Sequence, residues 1–113
     1  MDVEIVIEDP WTIIVAGATA GTSDSEEWLS LFDDLYERGI RYVIIDCQQI
    51  AVPTSPFMSA LVWGGRVMER GQGRSCAVGC NERIQRALAI TGLADSILQA
   101  ASIEDAKRLI GQT

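Results

Sequence analysis

Val3, Ile5 and Ile7 alternate with Glu4 and Glu8 at the start of the chain, the period of a strand with one buried face. After the turn pair Asp9-Pro10 the run TIIVAG is apolar throughout, and the two segments predict a short antiparallel hairpin. GATAGTSDS is small and reads as a loop. Ser23 with Glu26 three residues on matches a capping box. Trp28, Leu31, Phe32 and Leu35 then recur at helical spacing until Gly39 closes the helix. RYVIID, rich in β-branched residues, has the pattern of a parallel strand covered on both faces.

The loop CQQIAVPT leads to a helix expected over about 56 to 70. SCAVGC reads as another buried strand. Asn81 caps a helix that carries Ile84, Ala87 and Leu88 and ends at Gly92. Ser102 with Asp105 resembles a second capping box, before a helix with Ala106, Leu109 and Ile110. The order is ββαβαβαα. Strands alternating with helices imply right-handed crossovers, hence an α/β domain. Its sheet is expected to have four strands, mainly parallel, with an N-terminal antiparallel hairpin and about four helices. No linker or repeat divides residues 1–113, and one domain is expected.

Composition narrows the function. A hydrophobic fraction of 48% with 22% charged residues suits a soluble globular chain. The net charge of −7 disfavours nucleic acid and anionic membranes, whose phosphates demand lysine and arginine. The amino end is acidic where a signal peptide is basic, and no apolar run is long enough to span a bilayer. Three cysteines, Cys47, Cys76 and Cys80, form an odd set at spacings unlike a disulfide framework. A cytoplasmic location is expected.

The chain has no histidine, so the commonest general base and metal ligand is missing. No glycine-rich phosphate loop is present. The three thiols could in principle hold zinc, but buried structural cysteines are commoner. The sequence therefore points away from an enzyme, and no cofactor is expected.

These elements together resemble a STAS domain, the family that includes bacterial anti-sigma-factor antagonists. The resemblance covers nearly the whole chain. It rests on RYVIID followed by a loop and a serine-led helix, on SCAVGCNERIQRALAITGLADSI with its Thr91-Gly92-Leu93, and on SIEDAKRLI. In the family, a strand ending in Asp is followed after a loop by an Asp-Ser-Ser-Gly type motif. Here Asp46 is followed by Thr54-Ser55-Pro56-Phe57. The resemblance implies that Ser55 is the phosphate acceptor of a switch. A partner kinase that is also an anti-sigma factor would modify it, and a phosphatase would restore the binding form. It equally allows a structural STAS subunit of a larger assembly, such as a lipid-transport complex or a stressosome-like scaffold. Either way the expected partner is a protein, without nucleic acid or membrane insertion, and a homodimer is left open.

Read from its residues alone, Ser55 is a helix N-cap with Pro56 at the first helical position, its hydroxyl accepting from the amide of Phe57 or Met58. Cap and switch are compatible, because a helix N-terminus favours an anionic group. Along the helix, a 100° step puts Phe57, Leu61, Gly64 and Met68 on one face and Ser59, Arg66 and Arg70 opposite, with Trp63 beside them. Trp63 is either covered by its surroundings or an exposed anchor. The expected partner-binding set is Thr54, Pro56, Phe57, Ser59 and Trp63, and the glycines Gly64 and Gly65 are expected to let the helix approach the sheet.

Overall fold

The computed structural model describes residues 1–110. Strand β1 (Val3–Glu8) pairs antiparallel with β2 (Trp11–Ala16), as the hairpin pattern predicts. Helix α1 (Ser25–Glu37), strand β3 (Tyr42–Asp46), helix α2 (Ser55–Arg70), strand β4 (Arg74–Val78) and helix α3 (Glu82–Ile90) follow. A fifth strand, β5 (Gln99–Ala100), precedes helix α4 (Ile103–Ile110). The strands lie in sequence order, β2 through β5 parallel, so the expected α/β architecture is present with one strand more. β5 is two residues long, too short to carry a period. It exists because the Ala77 amide donates to Leu98 and the Gly79 amide to Ala100, at 2.9 and 3.3 Å.

Helices α1 to α3 cover one face of the sheet and α4 the other. Along β2, Ile14 and Ala16 enter the larger core with Trp28, Phe32, Phe57 and Leu61. Ile13 points the opposite way, to Ile44, Cys76, Ala106 and Ile110. Val43, Ile44 and Ile45 are each no more than 1% exposed, as a doubly covered strand requires. β1 departs from its pattern. Val3 packs on the larger core, but Ile5 and Ile7 are 37% and 65% exposed. β1 is an edge strand, and Ile5 and Ile7 fall beyond the cover of the three helices.

Each of the first three helices ends in the same paired backbone motif, with one residue in the left-handed region. Ile40 and Gly39 donate to Leu35 and Tyr36 at the end of α1, and Leu93 and Gly92 to Leu88 and Ala89 at the end of α3. In α2 the left-handed residue is Gln72, at φ 66°, and Gly73 donates to Met68. Asn81 caps α3 and Ser102 caps α4, as expected. At α1 the cap is Asp24, not Ser23: its carboxylate accepts from the Glu27 amide at 3.0 Å. Asp24 is the next residue and already ionised, and a charged acceptor suits the positive end of the helix better.

Gly64 and Gly65 also divide their roles. A side chain at Gly64 would meet the Phe32 ring of α1 at 2.5 Å, so this glycine admits α1 rather than the sheet. Gly65 faces Ser75 on β4 and does bring the helix onto the sheet.

Candidate functional site

The amino end of α2 is held by three separate segments. Thr54, the residue before the helix, accepts from the Phe57 amide at 3.3 Å and donates its hydroxyl to the Gly21 carbonyl at 2.6 Å. Gly21 lies in a 3₁₀ turn (Ala20–Thr22) within the stretch the sequence suggests is a plain loop. Asn81, while capping α3, donates from its amide to the carbonyls of Ile50 and Ala51 at 3.2 Å each. The third anchor is aromatic. Phe57 stands edge-on to Trp28, with centroids 5.7 Å apart, and Trp28 lies over Phe32 at 6.0 Å. The Trp28 indole donates to the Ala20 carbonyl of the same turn.

This arrangement corrects two expectations. The N-cap is Thr54, so Ser55 takes the first helical position and Pro56 the second. A proline is tolerated there for the same reason as one residue earlier, since neither position has an intrahelical acceptor for its N–H. The helix starts one residue sooner than expected, and the serine is exposed and free of capping duty. Phe57 does not lie on the surface at all. It is fully buried, as its place beside Leu61, Gly64 and Met68 on the inner face demands, and it can act on a partner only by holding the helix end.

The remaining candidates fall together. Ser55, Ser59, Trp63, Arg66 and Arg70 are all exposed and follow one another at steps of three or four residues, which makes a continuous stripe along α2. Trp63 is 38% exposed, so its ring is neither core nor fully free. Thr54 and Pro56 flank the head of the stripe and are half-buried. At the far end Arg70 is tied back to α1, 3.5 Å from Asp33 and over the Tyr36 ring. Arg66 has no ion-pair partner among the described residues.

Sequence reasoning missed Thr54 as the cap and the second role of Asn81. The signal for the first was present, because threonine is itself a capping residue directly before Ser55-Pro56. The contact from Asn81 to Ile50 spans 31 positions and has no local signature.

The three thiols do not converge. Cys47 and Cys80 lie in the larger core, whereas Cys76 points to the α4 side of the sheet. Among the described residues no set of three His, Cys, Asp or Glu side chains could hold a metal ion. A cleft of about 660 Å³ opens beside the end of α2, lined among others by Arg66, Glu69, Arg74 and Asp95. Its charges balance, and none of Thr54, Ser55, Ser59 or Trp63 reaches it. Among the described residues no helix is long and apolar enough to cross a membrane.

No protein-family model matches the chain, and no curated protein does. Solved structures do. An anti-sigma-factor antagonist (STAS) domain protein from Planctomyces limnophilus superposes with a TM-score of 0.78 at 18% identity, over 99% of this chain and 100% of the other. An RsbS variant from Moorella thermoacetica gives 0.78 at 17%, over 96% and 97%. The Bacillus cell-fate determinant SpoIIAA in its phosphorylated form gives 0.68 at 13%, over 95% and 98%. At such identities the likeness is one of architecture, and it covers at least 95% of this chain in each case: the chain has the STAS fold.

Proposed function

We propose that the chain is a non-enzymatic regulatory module of the anti-sigma-factor-antagonist kind, engaging a protein partner through the outer stripe of α2 and switched by phosphorylation of Ser55. The observation that carries this is the division of labour between Thr54 and Ser55. Thr54 is half-buried and its hydroxyl is committed to Gly21, so it is a poor acceptor for a kinase. Ser55 is exposed at the head of a stripe that includes Trp63. A phosphate there would be stabilised by the helix N-terminus and would leave the cap intact. It would place close to two negative charges on the docking face, which weakens binding to any partner matched to the unmodified surface. That a STAS-fold neighbour exists in a phosphorylated form agrees with this reading.

The test is intact-mass spectrometry of the chain purified from its native host, before and after phosphatase. The expected result is one phosphate mapped to Ser55 and removed by the enzyme. A chain unmodified under both resting and stress conditions would overturn the switch. If it then also co-purified with a stoichiometric partner indifferent to nucleotide, it would be an assembly subunit instead.

A further inference from the structure

Cys47 and Cys80 form a pair that the docking reading does not use. β3 and β4 run parallel in a register that sets Asp46 beside Val78, and the Cys47 amide continues the ladder by donating to the Val78 carbonyl at 2.8 Å. Gly79 therefore stands beside Cys47, and Cys80 is the next residue, past the end of β4, where the left-handed Gly79 at φ 72° turns the chain so that Cys80 joins the core Cys47 occupies. With paired strands about 4.8 Å apart and successive Cα atoms about 3.8 Å apart, the two Cα atoms lie within roughly 9 Å of each other. Disulfides bridge Cα separations of about 4.4–6.8 Å. Both side chains lie in the same core, and each thiol is the leading influence on the other's proton affinity.

The pair is also asymmetric. Cys47 is fully buried, while Cys80 is 9% exposed and lines a cleft of about 510 Å³ with Gly79, Gln85, Gln99, Ala100 and Ala101. A small oxidant entering that cleft meets Cys80 first. The neighbouring Cys80 and burial push the Cys47 thiol up, and Cys47 in turn holds the Cys80 thiol below its ordinary value. Cys76, on the other face, is pushed up to about 11 by burial.

We propose that Cys80 is a peroxide-reactive thiol and Cys47 its resolving partner, so that the chain carries a reversible intramolecular disulfide at the root of the β3–α2 loop. The Cys80 thiolate attacks one oxygen of hydrogen peroxide. An S–O bond forms, the O–O bond breaks, and the departing hydroxide takes up a proton as water. The Cys47 sulfur then attacks the Cys80 sulfur, the S–O bond breaks, and hydroxide leaves with the Cys47 proton as a second water. Two thiols are oxidised and one peroxide is reduced to two waters. Cys47 opens the loop that ends at Thr54, and Asn81, next to Cys80, holds that loop through Ile50 and Ala51. The cross-link would thus join the two segments that place the head of α2.

The reduced full chain is treated with hydrogen peroxide, quenched, and assayed for free thiols in urea. The expected result is a fall from three thiols to one, a loss of two hydrogens in the intact mass, and full reversal by dithiothreitol. Fragmentation of the linked tryptic peptides places the bond at Cys47 and Cys80. Cys47→Ser, checked for folding by circular dichroism, would instead give a sulfenic acid at Cys80 that dimedone traps. A folded chain that keeps all three thiols, or whose disulfide involves Cys76, would overturn the proposal. The wild-type measurement decides even if the variant does not fold.

Discussion

The Thr54 hydroxyl donates to the Gly21 carbonyl across 2.6 Å while the same oxygen accepts from the Phe57 amide, so one side chain both caps α2 and ties it to the 3₁₀ turn before α1. Replacing it removes a cap and orphans a carbonyl that sits in a buried residue. Thr54→Ala is expected to destabilise the fold by about 1–3 kcal/mol. Ser55→Ala, at an exposed position without a cap bond, should stay within about 0.5 kcal/mol. Urea unfolding of the two variants measures the difference. Equal losses would return the capping role to Ser55.

Trp63→Ala tests the docking stripe. The ring is 38% exposed and otherwise covered, so its removal should cost about 1–2 kcal/mol of stability, short of the about 3–5 kcal/mol for a core tryptophan. A tryptophan at an interface centre contributes about 2 kcal/mol or more, which is roughly a thirtyfold loss of affinity. Calorimetry with the partner recovered from the native host gives one number and thermal melting the other. A variant that unfolds while its residual folded fraction binds normally would make the ring a core residue.

Gly64 bears on the contact between the two long helices. Gly64→Ala gains up to about 1 kcal/mol of helix propensity. Against that, the new methyl group strikes Phe32, a fully buried ring that also touches Trp28, and overpacking of this kind costs about 1–3 kcal/mol. The clash should win, with net destabilisation of about 1–2 kcal/mol. The double variant with Phe32→Leu should show coupling of opposite sign, recovering part of the loss in denaturant titration.

At the end of α2, Gln72 occupies φ 66° where its counterparts in α1 and α3 are Gly39 and Gly92. A left-handed conformation costs a residue with a side chain about 1–2 kcal/mol. Glycine adds about 0.4–1 kcal/mol of freedom to the unfolded chain. Gln72→Gly is therefore expected to stabilise the protein by about 0.5–1 kcal/mol. A lower urea midpoint would contradict it.

Near the amino terminus, the Asp2 carboxylate accepts from both the hydroxyl and the amide of Thr19, at 2.8 and 3.1 Å, and these bonds hold it below its ordinary value of 3.8. A lowered value in the folded state means that folding favours the charged form. Its contribution is complete above the ordinary value and is lost as pH falls through the lowered one. Carboxyl-carbon NMR should show Asp2 titrating below a reference aspartate, and Thr19→Val should move it back up. An unchanged midpoint in that variant would break the assignment.

Much of this molecule can be read from local pattern. The apolar runs of β2 and β3, the spacing of Trp28, Phe32 and Leu35, and the terminal glycines Gly39 and Gly92 act within a few residues, where periodicity and backbone freedom decide. The resemblance carried by the β3–α2 segment and Thr91-Gly92-Leu93 pointed to the STAS fold that the structure has. Local pattern also placed Ser59 and Trp63 along one helix and Ser55 at its head. What it left open was a matter of distance and competition. Thr54 and Ser55 are both competent caps, and the choice fell to Thr54 because the Gly21 carbonyl, 33 positions away, lies within its reach. Phe57 has no local mark of burial beyond its helix phase, and Trp28 decides its place. Ile5 and Ile7 alternate as a buried face would, but an edge strand beyond the helices leaves them in water. The Cys47–Cys80 pair exists only because β3 and β4 align, and parallel register is set by packing across the sheet rather than by neighbours along the chain.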